Sequence, residues 1–304
     1  MEFLLSLPVP LLFVITMAAC FASSVCKRNY SKSFSDTQSG LFFYNGVSGF
    51  VCALVLLALS GFACTMSWYT ALMGALFGVL TMTSAITNLK ATAIGPWAYT
   101  TVIVSLATII PTFSGVLFWN EKLNALQIVG IVLMVVCVLL SVQNNESDKK
   151  VGAKWLILSI CSALCTGFIG VMQKIHQESA YKGELNMFLV MAFAVSSVVS
   201  LCLVPILKKK QKTDLFTLVD KSKKWQWKVV VLVLLLGVGM ALNNVINLYL
   251  SGVVNSAIFF PVVNGGNLVL VTLFAIVLYK EKLSIKQIVG LVCGIASVVL
   301  LCLK

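Results

Sequence analysis

Ten long apolar runs decide what this chain can fold into. Each carries few or no charges and is long enough to cross a hydrocarbon core of about 30 Å, which takes about 20 helical residues. Inside a bilayer the backbone must satisfy its own hydrogen bonds, and the runs lack the alternation typical of barrel strands. We therefore predict an all-α membrane protein with ten transmembrane helices. The runs cover residues 3–25, 40–60, 67–88, 93–118, 125–143, 154–175, 184–206, 228–250, 253–279 and 285–303.

Composition excludes the commonest alternatives. Apolar residues make up 60% of the chain and charged residues only 11%, against about 25% charged residues in soluble domains. The net charge of +12 does not indicate a nucleic-acid partner, because the lysines fall between apolar runs without interleaved aromatic residues. The ten cysteines and one histidine show no metal-ligand spacing. The predicted partners are the lipid bilayer and a small-molecule substrate, with no cofactor, no metal and an oligomeric state left open.

The basic residues predict the orientation in the membrane. Of 22 Lys and Arg residues, 18 fall in or beside the odd-numbered loops and four on the opposite side: Lys122, Lys174, Lys182 and Lys304. Loops rich in Lys and Arg stay cytoplasmic. We therefore expect cytoplasmic odd-numbered loops and both termini outside. The short termini favour a bacterial plasma membrane.

A duplicated segment divides the chain into halves. "NEKLNALQIVG" at 120–130 returns as "KEKLSIKQIVG" at 280–290, and ten of twenty positions are identical between 121–140 and 281–300. The polar break at 144–150 separates the copies, which predicts five-helix repeats over 1–148 and 149–304. Because five is odd, the second repeat enters the membrane from the opposite side. The sequence therefore predicts two inverted five-helix repeats, an arrangement common in secondary transporters.

The duplicated segment also predicts a turn. Asn124 and Gln127 have capping-box spacing, as do their second copies Ser284 and Gln287. Glu121 and its copy Glu281 lie near the positive end of the following helix, where a carboxylate is favoured. We interpret these six residues as a structural turn, and the alternative is a direct part in gating.

With its two five-helix halves, the chain resembles the drug/metabolite transporter (DMT) superfamily, in particular its EamA-type family. The matching residues are the Glu-Lys-Leu segments at 121–123 and 281–283, followed by Gly130 and Gly290. The resemblance implies a solute carrier whose helices surround a central cavity. It also implies cytoplasmic termini, which is the reverse of what the lysine distribution predicts.

Amide and aromatic groups inside the runs are the candidate substrate-binding residues. The acidic residues all lie in loops or at span ends, which disfavours a buried cation site and a membrane enzyme. Asn243 and Asn247 share one helix face, and Asn264 shares a face with Asn267. Such amides either line a polar cavity or hold helices together. The full candidate set is Asn243, Asn244, Asn247, Tyr249, Asn264, Asn267, Trp97, Tyr99, Tyr44, Asn45 and Gln173.

Uncharged amides favour a neutral or zwitterionic solute. The sequence therefore predicts a secondary transporter of a small polar metabolite, such as an amino-acid-like compound, working by alternating access. If Trp97, Tyr99 and Tyr249 converge, an organic cation held by cation–π contacts is the alternative. An alternative of another class is a membrane-embedded enzyme or an assembly partner.

Overall fold

The computed structural model describes residues 6–34, 38–62, 64–94, 100, 103–140, 152–211, 227–279 and 285–302. Those residues form ten α-helices and no strand, so the all-α prediction is confirmed. The helices are α1 (Val9–Phe34), α2 (Gln38–Leu59), α3 (Trp68–Ile94), α4 (Ile109–Trp119), α5 (Ala125–Leu140), α6 (Ala153–Glu178), α7 (Leu185–Gln211), α8 (Trp227–Val253), α9 (Ser256–Tyr279) and α10 (Ile285–Cys302). Short 3-10 turns at Leu106–Thr108 and Lys182–Glu184 precede α4 and α7.

The outer surface is apolar, as a lipid-facing surface must be. Five of the described helical segments are long and apolar enough to span a membrane: Ser39–Leu59, Trp68–Thr92, Ala153–Glu178, Lys182–Leu207 and Val233–Val253. The apolar segments of the other five helices are shorter. Leu117, Ile157, Val198 and Val292 are each more than half exposed. Helices that are hydrophobic all round belong in a membrane, and the chain is an integral multi-pass membrane protein.

Hydropathy predicted the positions of the helices more accurately than their ends. α1 runs to Phe34 and α3 to Ile94, beyond the predicted limits at 25 and 88. The residues added to α3 include Lys90 and Thr92, which are polar but compatible with a helix. Apolarity marks the part of a helix that lies in lipid, whereas the helix continues until its backbone hydrogen bonding is interrupted.

Small residues let the central helices approach closely. Gly74 and Gly78 of α3 lie against the α7 backbone, and a side chain at Gly78 would collide with the carbonyl oxygen of Ala192. Phe77 and Phe188 are fully buried beside them, with ring centroids 5.0 Å apart. Lipid tails are as apolar as leucine, so close packing rather than the hydrophobic effect holds such helices together. α3 and α7 therefore form a rigid pair.

Several packed helix pairs run antiparallel. On α1 and α8, Thr16 contacts Asn247 while Ser23 lies beside Gly239. α2 and α7 also cross antiparallel, since Gly46 meets Leu201 and Gly49 meets Phe193. The contact between α5 and α10 is reciprocal, because the early glycine of each helix meets the late residues of the other. That contact joins Gly130 to Leu301 and Gly290 to Leu140.

Other pairs run parallel. On α1 and α9, Phe13 contacts Phe259 and Met17 contacts Gly266. The same direction holds for α4 and α6, where Ile110 meets Gly167 and Pro111 meets Gly170. In these pairs the helix numbers differ by an even number, and in the antiparallel pairs by an odd number. That is the pattern of a chain that reverses direction at each connection.

The connections that follow α2, α4, α6 and α8 lie at one end of the bundle, which we call the Glu121 end. Glu184 before α7 accepts hydrogen bonds from Ser67 before α3, at 3.0 Å from the amide nitrogen and 2.7 Å from Oγ. Tyr69 stacks on Tyr181, with centroids 5.2 Å apart. The turn after α4 reaches the start of α9 through the Glu121 carboxylate. The described residues of four connections therefore cluster at this end: 60–62 with 64–67, 120–124, 179–184 and 254–255.

Candidate functional site

The predicted asparagines of α8 bind α1. Thr16 Oγ1 is fully buried and lies 3.2 Å from Asn243 Oδ1 and 3.1 Å from Asn247 Oδ1. Asn243 Oδ1 also accepts hydrogen bonds from Cys20 Sγ and Asn247 Nδ2, each at 3.2 Å. One amide oxygen thus gathers three donors. We call Thr16, Cys20, Asn243 and Asn247 the asparagine joint.

A second polar contact joins α3 to α6. Ser84 Oγ lies 2.7 Å from Thr166 Oγ1, and Ser162 Oγ donates to the Ser84 carbonyl oxygen at 3.2 Å. We call Ser84, Ser162 and Thr166 the hydroxyl joint. Its two α6 residues are four apart, as are Thr16 and Cys20 on α1. In each joint both of these residues contact a common residue of the partner helix, which is Ser84 in one joint and Asn243 in the other.

The two joints occupy matching places in the two predicted halves. Ser162 follows Thr16 by 146 residues and Thr166 follows Cys20 by the same 146. Asn243 takes the place of Ser84, 159 residues later. The joint between α3 and α6 is therefore the counterpart of the joint between α8 and α1. The same position holds a hydroxyl in one joint and a carboxamide in the other.

The amides of α9 have hydrogen-bonding capacity to spare. Asn264 and Asn267 are half-buried, and neither side chain bonds to another described residue. Asn267 Oδ1 is fully buried without a donor among the described residues. Gly266, beside them, packs on Met17 of α1, the neighbour of Thr16. α1 thus contacts α8 through the asparagine joint and α9 beside its amides.

Three other candidates make contacts within the bundle. Asn244 Nδ2 donates to the Met240 carbonyl oxygen of its own helix at 2.8 Å. Asn45 Nδ2 donates to Ser200 Oγ of α7 at 2.9 Å. Tyr44 is buried in an apolar cluster between α1, α2 and α8. The structure gives these side chains contacts within the bundle.

The remaining candidates differ in their surroundings. Tyr249 packs against two apolar clusters at the centre of the bundle. Gln173 of α6 is only 5% exposed, and its side chain makes no hydrogen bond to a described residue. Trp97 and Tyr99 lie outside the described residues, so an aromatic cage built from them and Tyr249 stays a prediction.

The turn after α4 has the hydrogen bonds of a capping box. Gln127 N donates to Asn124 Oδ1 at 2.7 Å, and Asn124 N donates to Gln127 Oε1 at 3.1 Å. Asn120 takes the left-handed conformation that ends α4, with φ of 50°. Glu121 N then donates to the Gly115 carbonyl oxygen at 3.2 Å. In the second copy, Glu281 and Ser284 lie outside the described residues, as does the side chain of Gln287.

The Glu121 carboxylate contacts two other helices, α6 and α9. Its Oε1 lies 3.1 Å from Lys174 Nζ of α6, and each side chain of this pair is only 6% exposed. Lys174 also pairs with Glu178 at 3.0 Å. Ser256 Oγ and Ala257 N, at the start of α9, donate to the Glu121 carboxylate at 3.2 and 3.4 Å. The negative carboxylate thus caps the positive end of α9.

A cavity of about 410 Å³ opens over this ion pair. Charged groups of both signs line it, so it is a polar mouth at the Glu121 end. Its lining residues are Trp119, Asn120, Glu121, Lys122, Lys174, Glu178, Gly252, Val253, Val254 and Asn255.

Two residues of these sites, Thr16 and Lys174, were not among the residues predicted from the sequence. Thr16 looked like one of many isolated hydroxyls, and only its contact with α8 distinguishes it. Lys174 was counted as an orientation signal although it falls inside the predicted sixth span. A lysine at that depth with a carboxylate four residues later was the available signal, because charges inside spans are rare and paired.

Comparisons with known proteins agree with this architecture. The model of the EamA-like transporter family matches residues 153–303, essentially the second predicted half. None of the curated proteins compared with the chain matches it. A solved structure described only as the crystal structure of a protein is similar to it with a TM-score of 0.73 and 11% identity. The likeness covers 96% of this chain and 95% of that chain, so the whole bundle shares a known fold.

Proposed function

Because the chain belongs to the EamA-like transporter family, we propose that it is a secondary transporter of a small polar metabolite. The solute is neutral or zwitterionic and resembles an amino acid. It crosses the plasma membrane by alternating access, binding between the helices at the asparagine joint and the α9 amides.

The observation that carries this proposal is the set of amides inside the bundle. Asn267 Oδ1 is buried without a donor among the described residues, and Asn264 beside it bonds to none of them. A buried polar atom without a partner costs about 1–3 kcal/mol. A solute that supplies hydrogen bonds removes that cost. Uncharged amides complement a solute rich in hydrogen bonds and without net charge.

The packing supports two inverted five-helix repeats. Helices alternate in direction wherever described contacts fix their sense, and the contact between α5 and α10 is reciprocal about Gly130 and Gly290. The two joints repeat the same pattern of contacts across α1, α8, α3 and α6. Repeats of opposite orientation make outward-open and inward-open states natural alternatives, with the solute site between them.

The lysine distribution supports an orientation for this arrangement. The Glu121 end carries the connections that are poor in Lys and Arg, so we propose that it lies on the extracellular side of the membrane. The opposite connections then face the cytoplasm of a bacterial cell.

A solute screen tests the proposal. Purified protein is heated with panels of amino acids, neutral polar metabolites and quaternary ammonium compounds, since a ligand that binds the folded state raises the melting temperature. We expect a shift with the first or second panel, and uptake of the same solute into proteoliposomes. A shift with the ammonium panel alone would favour the organic-cation alternative. No shift with any panel, and no uptake, would contradict the proposal.

A further inference from the structure

We infer that Glu121 is a latch that closes the Glu121 end of the bundle and is released each time the protein opens toward that side. This inference rests on the proposed alternating access. It assigns to the duplicated turn a part in the conformational change, which the capping box alone does not require.

The contacts of Glu121 cross between the predicted halves. Glu121 belongs to the first half, in the turn between α4 and α5. Lys174, Ser256 and Ala257, which hold its carboxylate, belong to the second half. One side chain thus ties the turn to the ends of two helices, α6 and α9. Alternating access moves one group of helices against another around the solute site. A tie that joins the turn after α4 to α6 and α9 therefore has to break when these helices separate at this end.

The ion pair of Glu121 and Lys174 is strong in the closed state and weak once water reaches it. Both side chains are only 6% exposed, so protein groups rather than water compensate most of each charge in this state. Once the mouth opens, water hydrates both charges, and the attraction falls steeply as the effective dielectric constant rises. The ion pair therefore stabilises the closed state, and hydration of both charges compensates for its loss in the open state.

Lys174 keeps a partner when the latch releases. Glu178 lies one helical turn further on the same helix and is 43% exposed at the rim of the cavity. Because both residues are on α6, their ion pair moves with the helix. Glu178 therefore supports the lysine in both states, whereas Glu121 holds it only in the closed state.

The space around the latch is shaped for the carboxylate. Glu121 folds back over Gly115, where an added Cβ would collide with its Oε2. Thr112, about one turn deeper in α4, is 4% exposed, and its Oγ1 has no hydrogen-bond partner among the described residues. Opening of the mouth would bring water or solute to that hydroxyl.

A second carboxylate provides a matched contrast. Glu184 of the second half binds Ser67 of the first half at the same end. However, it joins α3 to α7, whose backbones touch at Gly74 and Gly78. Helices packed that closely move together, so the Glu184 contact stays intact while the Glu121 contact opens.

Labelling of a cysteine beneath the latch tests the inference without any solute. Thr112→Cys is introduced and treated in oriented vesicles with a membrane-impermeant maleimide, and mass spectrometry of peptide fragments reports modification at residue 112. Adding Glu121→Gln should raise the labelling rate about tenfold, the effect of a 1.4 kcal/mol shift in the equilibrium between closed and open states. Glu178→Gln and Glu184→Gln should each change it less than about twofold. Equal rates with and without Glu121→Gln would overturn the latch.

A reversible crosslink supplies a second measurement. A Cβ built on Gly115 lies 2.8 Å from Ser256 Cβ, and a disulfide places these atoms about 3.5–4.5 Å apart. Gly115→Cys with Ser256→Cys should therefore form a disulfide after a small adjustment that moves the Glu121 carboxylate aside, and this disulfide then replaces the tie between α4 and α9. Its oxidised form should protect residue 112 from the maleimide, and reduction should restore labelling. Labelling that is unaffected by oxidation would contradict the inference even if Glu121→Gln fails to fold. A failed solute screen leaves both results interpretable, because neither uses a solute.

Discussion

The asparagine joint and the hydroxyl joint occupy the same place in the two predicted halves, yet they are built from different chemistry. In the hydroxyl joint, the Ser84 and Ser162 hydroxyls each contact the other residue's carbonyl oxygen, and the Ser84 hydroxyl also contacts Thr166 Oγ1. In the asparagine joint, Asn243 Oδ1 collects three donors, and its Nδ2 has no partner among the described residues.

On the proposed function, this difference assigns packing to the joint of the first predicted half and recognition to the joint of the second. A hydroxyl can return its hydrogen bond to a nearby carbonyl group, so a joint of hydroxyl groups satisfies itself. A carboxamide carries two donor hydrogens and an acceptor, which exceeds what one neighbouring helix supplies here. The second copy therefore retains capacity for a ligand, whereas the first copy is a closed contact between helices.

Replacing Asn243, the central amide of the asparagine joint, should produce the largest difference in solute affinity between the two joints. Asn243→Ala removes an acceptor and a free donor, and each hydrogen bond is worth about 1–3 kcal/mol when its partner stays buried. Binding of the solute found in the screen should weaken about 10- to 100-fold, as measured by titration of the melting temperature. Ser84→Ala is the matched control and should bind within about twofold of the parent. Equal losses in both variants would remove the distinction between the joints.

Thr16→Val tests whether α1 positions the amides. The substitution keeps the shape of the side chain but removes the hydroxyl that contacts both asparagines. Because one neutral hydrogen bond contributes about 1 kcal/mol, solute affinity should fall about fivefold. Thr16→Ser restores the hydroxyl and should recover affinity. If Thr16→Val and Thr16→Ser bind alike, the threonine only fills space.

Breaking the hydroxyl joint should affect stability and not binding. Ser84→Ala with Thr166→Val removes a hydrogen bond of a kind that averages about 0.6 kcal/mol between membrane helices, and its backbone contacts add a similar amount. We expect a loss of about 1 kcal/mol in the free energy of unfolding, measured by denaturant titration in detergent micelles. A change in solute affinity in this variant would show that the first half also contributes to the site.

The smallest effect is expected at Asn244, the neighbour of the central amide. Its side chain is bonded to the Met240 carbonyl oxygen of the same helix, so Asn244→Ala removes a local contact. Stability should change by less than about 0.5 kcal/mol, as for most substitutions without a special partner, and the thermal response to solute should stay as in the parent. A lost response would move the site to the opposite face of α8.

Hydropathy predicted the all-α membrane fold, because a bilayer requires spans that satisfy their own backbone hydrogen bonds. The described residues form ten helices at the ten apolar runs, and the spacing of Asn124 and Gln127 predicted the cap that forms there. Contacts between distant helices escaped prediction for a physical reason. Thr16 and Asn247 lie 231 residues apart, and a run that is apolar on every face does not reveal which face meets which helix. The buried pair of Glu121 and Lys174 escaped for the same reason, since each residue alone resembles a solvated span end.

The inverted repeat is the central claim, and single-residue labelling from the two sides of the membrane tests it most directly. Lys122, exposed after α4, and its sequence copy Lys282 are each replaced by cysteine. An impermeant maleimide is then applied to vesicles of either orientation, with the label assigned by mass spectrometry. The account predicts that residue 122 is labelled from one side only and residue 282 from the other side only. Labelling of both from the same side would contradict it.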